Sequence, residues 1–227
     1  MTVSALAPID AQLRARFERL DACSISDALD TLGLPGAVLG IRPLWAVRRV
    51  VAGRVRTVQA AAASDAQPGT HIASPLIAIA EPGDVIVIAN DGREDVSCFG
   101  GILAVAALER GVAGVVIDGA CRDIAESDEL GLPMFGRAVV PVSARGRVVQ
   151  TAMDAPIDVA GVAVCSGDVV VCDRSGVVFV SAADALRVVA LAERIALREQ
   201  AMVAALRDGA SVVEVMHDSR FPKAEAP

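Results

Sequence analysis

Apolar and polar positions follow helical and strand periods in turn along this chain, and the clearest succession lies between Phe99 and Asp123. That stretch reads FGGILAVAALERGVAGVVIDGACRD. Gly100-Gly101 predicts a tight turn whose N–H groups stay open at a helix start. Ile102 to Arg110 is apolar enough for a helix lying on a sheet, and Gly111 stands where a glycine ends one. Val115-Val116-Ile117 is a β-branched run suited to a central strand buried on both faces. Asp118-Gly119 is expected to end that strand, and Arg122-Asp123 to open the next segment. A guanidinium and a carboxylate then stand beyond the carboxyl end of a strand, beside exposed helix-start N–H groups, where open α/β sheets bind ligands. The pattern reads as an oxyacid-and-metal site.

On the N-terminal side, Pro8 to Arg19 predicts a short amphipathic helix. A second is predicted from Ser24 or Ser26, with Ile25, Ala28, Leu29 and Leu32 on one face and Gly33 as its stop. Arg49 to Ala60 reads as a strand with an irregularity at Gly53. Ala63 to Gly69 reads as a polar loop and His71 to Ala80 as a short helix. Val85 to Ile88 is a second buried strand, expected to end at Asn90-Asp91-Gly92. Two strand-helix-strand steps around the central stretch imply parallel strands. From Met134 the pattern turns to short strands at Val148-Val149, Ile157–Val159, Val162–Val164, Val169–Val171 and Val177–Val180, with a hairpin at Ser175-Gly176. Ser181 to Asp184 resembles a capping box opening a long helix to about Arg207. Its seam of Val188, Leu191, Ile195 and Met202 suits packing against another surface. We divide the chain into an N-terminal helical extension (1–23), an α/β domain (24–181) and a C-terminal helix and tail (182–227).

Composition narrows the chemistry. Apolar residues make up 54% and charged residues 22% of 227 residues, enough for a sizeable core. No apolar run approaches a membrane span and the N-terminus lacks a signal-peptide pattern, so the expectation is a cytoplasmic protein with no membrane partner. A net charge of −7 argues against a nucleic-acid partner. Five cysteines without CxxC spacing read as reduced thiols, with Cys121 more simply a small buried hydrophobe than a nucleophile. Lys223 is the only lysine, which leaves Schiff-base catalysis without a suitable group. His71 and His217 are the only histidines, so a bound metal would be held mainly by oxygen, favouring Mg²⁺ or Mn²⁺.

The succession SISDALDTLG (24–33), RPLW (42–45), PGDVIVI (82–88), GGILA…GVAGVVIDGACRD (100–123), LPMFGR (132–137), GDVVVCDRSGVVFV (167–180) and LREQ (197–200) resembles the RraA-like family. That family includes class II 4-hydroxy-4-methyl-2-oxoglutarate/4-carboxy-4-hydroxy-2-oxoadipate aldolases and RraA regulators of ribonuclease E. The resemblance spans residues 24–215. It implies a swivelling β/β/α type of α/β domain with a C-terminal helix, assembled as a homotrimer or homohexamer with sites between subunits. It implies that Arg122 binds the substrate carboxylate and that Asp123 holds a divalent metal largely through waters. It further implies that backbone N–H groups around Gly101, Ile102 and Leu103 complete the pocket, and that Glu199 of a neighbouring subunit approaches the metal waters. One position departs from the family pattern: twenty-one residues before Arg122, where the aldolases carry an acid, stands Gly101.

The reaction implied is retro-aldol cleavage or decarboxylation of a pyruvate-yielding 2-oxo acid such as 4-hydroxy-4-methyl-2-oxoglutarate or oxaloacetate. A divalent metal acts as Lewis acid and Arg122 clamps the carboxylate. With Gly101 lacking a side chain, the proton-transfer role falls to Glu94, Asp95, Glu199 or a metal-bound water. Glu126, Asp128 and Glu129 read as a solvated helix face, and His71 as a structural hydrogen-bonder. Two other readings stand beside the lyase: a metal enzyme running a different reaction on a small carboxylic acid, and a non-catalytic RraA-like protein-binding regulator.

Overall fold

The computed structural model describes residues 9–64 and 70–217, so Pro8, the distal part of the 63–69 loop and Lys223 lie outside the described residues. The chain runs α1 (Ala11–Phe17), α2 (Ala22–Leu32), β1 (Ala37–Val38), β2 (Arg42–Pro43), β3 (Val51–Ala62), α3 (Ser74–Ile79) and β4 (Asp84–Ser97). It continues with α4 (Gly101–Glu109), β5 (Gly114–Cys121), α5 (Ile124–Leu130), β6 (Met134–Gly136), β7 (Ala138–Val139) and β8 (Val148–Met153). Last come β9 (Ile157–Val159), β10 (Val162–Val164), β11 (Val169–Cys172), β12 (Val177–Val180), α6 (Ala185–Arg207) and α7 (Val212–Val215).

A mixed sheet organises these elements in the order β1-β12-β11-β3-β4-β5-β6-β2, with β7 added to β5 and β8 to β3. The centre, β3-β4-β5-β6, is parallel, as the strand-helix-strand steps imply. Antiparallel β11 and β12 flank it through the hairpin expected at Ser175-Gly176. β5 is buried along its whole length, which its β-branched run requires. One core cluster joins Ile86, Ile88, Val115 and Ile117 to Leu76, Ala104 and Ala107 of α3 and α4. Another joins Phe17, Ile25 and Leu29 to Val171, Val180, Val188, Leu191 and Ile195. Val188, Leu191 and Ile195 of the α6 seam therefore pack within their own chain, against α2 and the sheet.

Several boundaries differ from the sequence pattern for local reasons. α2 begins at Ala22 because the Asp21 carboxylate caps it, accepting from Ser24 N–H at 2.7 Å, so Ser24 and Ser26 lie inside the helix. Asn90-Asp91-Gly92 does turn, with Asp91 and Gly92 at φ 51° and 69°, yet β4 stays in the sheet to Ser97. Its register against β5 passes from Ala89–Asp118 to Arg93–Gly119 to Ser97–Ala120, so residues between are extruded as bulges. Gly119 does not end β5; a Cβ there would stand 3.0 Å from the carbonyl oxygen of Arg93, so glycine permits the close approach. The irregularity of β3 falls at Gln59/Ala60 and not at Gly53, whose missing side chain makes room for the carbonyl oxygen of Gly83 and for Val85, 2.8 Å from a Cβ built there. Among the described residues no helix is long and apolar enough to cross a membrane.

Candidate functional site

The ends of β4 and β5 are strapped together by Cys98 N–H to Ala120 O (2.9 Å) and Arg122 N–H to Phe99 O (3.0 Å). This brings the start of α4 beside the end of β5. Asp123 takes a left-handed backbone (φ 57°), which a short polar side chain tolerates, and precedes α5. Its Oδ2 accepts from Gly101 N–H at 3.0 Å and pairs with Arg122 Nε at 3.3 Å. The first intrahelical bond of α4 runs from Ala104 N–H to Gly100 O, so the Ile102 and Leu103 N–H groups precede the ladder and face outward from the helix start. Both side chains of the Arg122-Asp123 pair remain 40% exposed, accessible to a ligand.

The glycine pair works by space. Gly100 lies at φ −157°, an extended conformation open to any residue. A Cβ on it would stand 2.7 Å from Asp123 Oδ2 and 3.1 Å from Arg122 Nε. The tight-turn explanation is thus replaced by a packing one: Gly100 lets the pair lie against the backbone of α4. Gly101 is similar, since a Cβ there would fall into the Glu126 carboxylate, 2.5 Å from its Cδ. Glu126 is exposed, as a solvated face requires, but its carboxylate lies over the start of α4.

Arg122 borders two concavities. One, of about 360 Å³, is lined by His71, Phe99, Gly101, Leu103, Arg122 and Arg145, among others. The second is shallower and is lined by Arg122, Asp123, Glu126, Val139 and Pro141. His71 keeps its ring Nδ1 3.1 Å from Ile72 O, consistent with a hydrogen-bonding role, and also borders the first cavity. Arg145 was not evident from sequence; only the fold of the 143–147 loop brings it to this cavity.

Other expectations fall elsewhere. Glu199 sits exposed on α6, where burial and the neighbouring Asp27 and Asp21 push its carboxyl above the usual range. It does not line either concavity bordered by Arg122 of its own chain. Asp95 is paired with Arg93 at 2.9 Å, and that hydrogen bond holds it below the usual carboxylate range; Glu94 is exposed beside it. Asp118 braces the fold by accepting from Arg137 Nε and from Ala160 N–H. Burial pushes the Cys121 and Cys98 thiols up to about 12, which removes both as thiolate nucleophiles at neutral pH. Among the described residues no three His, Cys, Asp or Glu side chains converge as a metal cage.

An α/β domain presenting an Arg-Asp pair and helix-start N–H groups at a strand end offers the kind of donors that a small oxyanion takes. The family model for RraA-like proteins (Aldolase/RraA) matches residues 22–179, and the chain belongs to that family. A Halalkalibacterium halodurans protein provisionally named as a 4-hydroxy-4-methyl-2-oxoglutarate aldolase is 36% identical over 163 residues, covering 71% of this chain and 73% of that one. Legionella pneumophila protein DlpA is 28% identical over 198 residues, 87% of this chain, which span only 32% of its own length. Among solved structures, an uncharacterized Pseudomonas syringae protein superposes with a TM-score of 0.84 at 32% identity, covering 93% of this chain and 100% of that one. Streptomyces coelicolor RraAS2, described as an unusual member of the RNase ES inhibitor RraA family, superposes with a TM-score of 0.78 at 26% identity, covering 86% and 96%.

Proposed function

We propose that this protein is a divalent-metal-dependent carbon–carbon lyase that cleaves a 2-oxo acid to release pyruvate, by retro-aldol cleavage or decarboxylation. The observation that carries the reading is the Arg122-Asp123 pair held against the open N–H groups of α4. Aldolase-named relatives support the reaction class. 4-Hydroxy-4-methyl-2-oxoglutarate and oxaloacetate are the substrates we favour.

The donors suit a hard, largely hydrated cation. Asp123 commits Oδ2 to Gly101 and leaves Oδ1 for a ligand, and one carboxylate with several waters is a common arrangement for Mg²⁺ or Mn²⁺. Glu199 of a neighbouring subunit is our candidate for a further carboxylate. When bound, the metal supplies Lewis-acid polarisation of the 2-oxo group. The chain's own residues do the rest. Arg122 clamps the substrate carboxylate, and the Ile102 and Leu103 N–H groups aim partial positive charge at the developing enolate oxygen. Gly100 leaves the room in which the Arg122-Asp123 pair lies against the start of α4. Assembly as a trimer or hexamer, with subunits meeting near the site, belongs to the same reading.

Chelator treatment tests metal dependence. Pyruvate release from either substrate is expected to vanish with EDTA and return with Mg²⁺ or Mn²⁺. Turnover indifferent to chelation overturns the metal-dependent reading.

A further inference from the structure

Gly101 creates a space at the start of α4, and this chain fills it from a distant part of the sequence. Glu126, on the first turn of α5, projects its carboxylate onto the position that a side chain at residue 101 would take. The overlap is close: a Cβ on Gly101 would stand 2.5 Å from Glu126 Cδ and 3.0 Å from Oε1. The adjoining space over Gly100 holds Asp123 Oδ2 and Arg122 Nε. Glu126 also borders the shallow concavity with Arg122 and Asp123, and its side chain is exposed to solvent. An exposed helix carboxylate ordinarily points into water, where it interacts weakly with the helix dipole. Here the carboxylate instead lies beside the start of α4, at the edge of the concavity it shares with Arg122 and Asp123.

We infer that Glu126 is the proton-transfer group of this site, a catalytic carboxylate supplied by α5 in place of one on residue 101. The inference rests on the lyase reading above. In retro-aldol cleavage of 4-hydroxy-4-methyl-2-oxoglutarate, Glu126 takes the proton of the C4 hydroxyl. The C3–C4 bond breaks, its electron pair moves into the C2 carbonyl, and C4 becomes the carbonyl carbon of the first pyruvate. Glu126 then returns its proton to C3 of the enolate, giving the second pyruvate. One proton leaves oxygen and one reaches carbon, so no further reactant is needed. Arg122, anchored through Asp123 to Gly101, holds the carboxylate end while Glu126 serves the carbon end. Gly101 leaves room for this placement, and a side chain there would first meet the far end of the Glu126 side chain.

The test uses full-length protein and four forms: wild type, Glu126→Gln, Glu126→Ala, and Glu126→Ala combined with Gly101→Asp. Turnover, exchange of pyruvate methyl protons in D₂O, oxalate binding and Mn²⁺ affinity are measured for each. Glu126→Gln is expected to lower kcat by roughly 10²–10⁴-fold, the usual contribution of a positioned acid–base group. Methyl exchange should fall in parallel, while KM, oxalate binding and Mn²⁺ affinity stay near wild type. The double variant should regain at least about tenfold over Glu126→Ala, since it returns a carboxylate to the vacated volume. Wild-type turnover with Glu126→Gln retaining kcat and exchange overturns this inference and leaves the lyase reading standing. A large loss of Mn²⁺ affinity or oxalate binding in Glu126→Gln also overturns it, assigning Glu126 to ligand holding. Wild type that neither turns over nor exchanges removes the lyase reading, and this inference with it.

Discussion

Arg122 and Asp123 divide the work of one corner. Asp123 commits Oδ2 to the Gly101 N–H and to Arg122, so it orients the guanidinium and at the same time ties α4 to the end of β5. Hydrogen bonds to charged groups contribute about 1.5–3 kcal/mol, so Arg122→Ala should lower kcat/KM by roughly 10–100-fold, measured by pyruvate release with little change in melting temperature. The cysteines make a second residue-scale prediction. Cys98, Cys121 and Cys172 are buried while Cys23 and Cys165 are exposed. Thiol titration of native protein should therefore find two reactive groups quickly and the remaining three only on unfolding, and fast labelling of Cys121 would contradict this burial.

At the scale of elements, α4 depends on its glycines for room. Gly100→Ala keeps an allowed backbone but sets a methyl group 2.7 Å from Asp123 Oδ2. It should displace the Arg-Asp pair and cut activity while leaving the fold near wild-type stability, as thermal melting and pyruvate release together would report. The apolar parts of β4 and β5 were legible because burial on both faces leaves continuous apolar runs bounded by turn formers. The extension of β4 was not, since NDGRED (90–95) is polar and the strand persists there through bulges. Asp21 was missed as a cap because Ser24 and Ser26 offered equally plausible chemistry. Arg122 and Asp123 stood out as charges at a strand end. Glu126 did not, because its meaning depends on lying over Gly101, a neighbour in space from another helix.

At the scale of the whole molecule, a buried ionic network ties the central strands to the later loops. Arg54 pairs with Asp84 at 2.8 Å, and Arg56 joins Asp84 at 3.3 Å and Asp154 at 2.7 Å. Burial opposes the Asp154 charge, but hydrogen bonds from Arg56 and Ser166 outweigh it and hold its carboxyl below the usual range. A depressed folded value contributes stability above the unfolded value of about 3.9, and that contribution is lost as pH falls through the folded one. Asp154→Asn keeps a side chain that tolerates its positive φ of 51° and leaves Arg56 with Asp84 as its one carboxylate partner among those it has here. The variant should lose about 1.5–3 kcal/mol at pH 7, with the gap to wild type closing as the pH drops below about 4 in thermal or urea melts. Arg16 and Glu193, 2.7 Å apart, tie α1 to α6 at the surface and are worth less.

The most direct test compares pyruvate release from 4-hydroxy-4-methyl-2-oxoglutarate and oxaloacetate by wild type and Arg122→Ala, both with Mg²⁺ or Mn²⁺ and against a metal-only blank. Turnover above the blank that collapses in Arg122→Ala is the predicted result. Wild-type rates equal to the blank on both substrates, with metal bound, would contradict a pyruvate-releasing lyase.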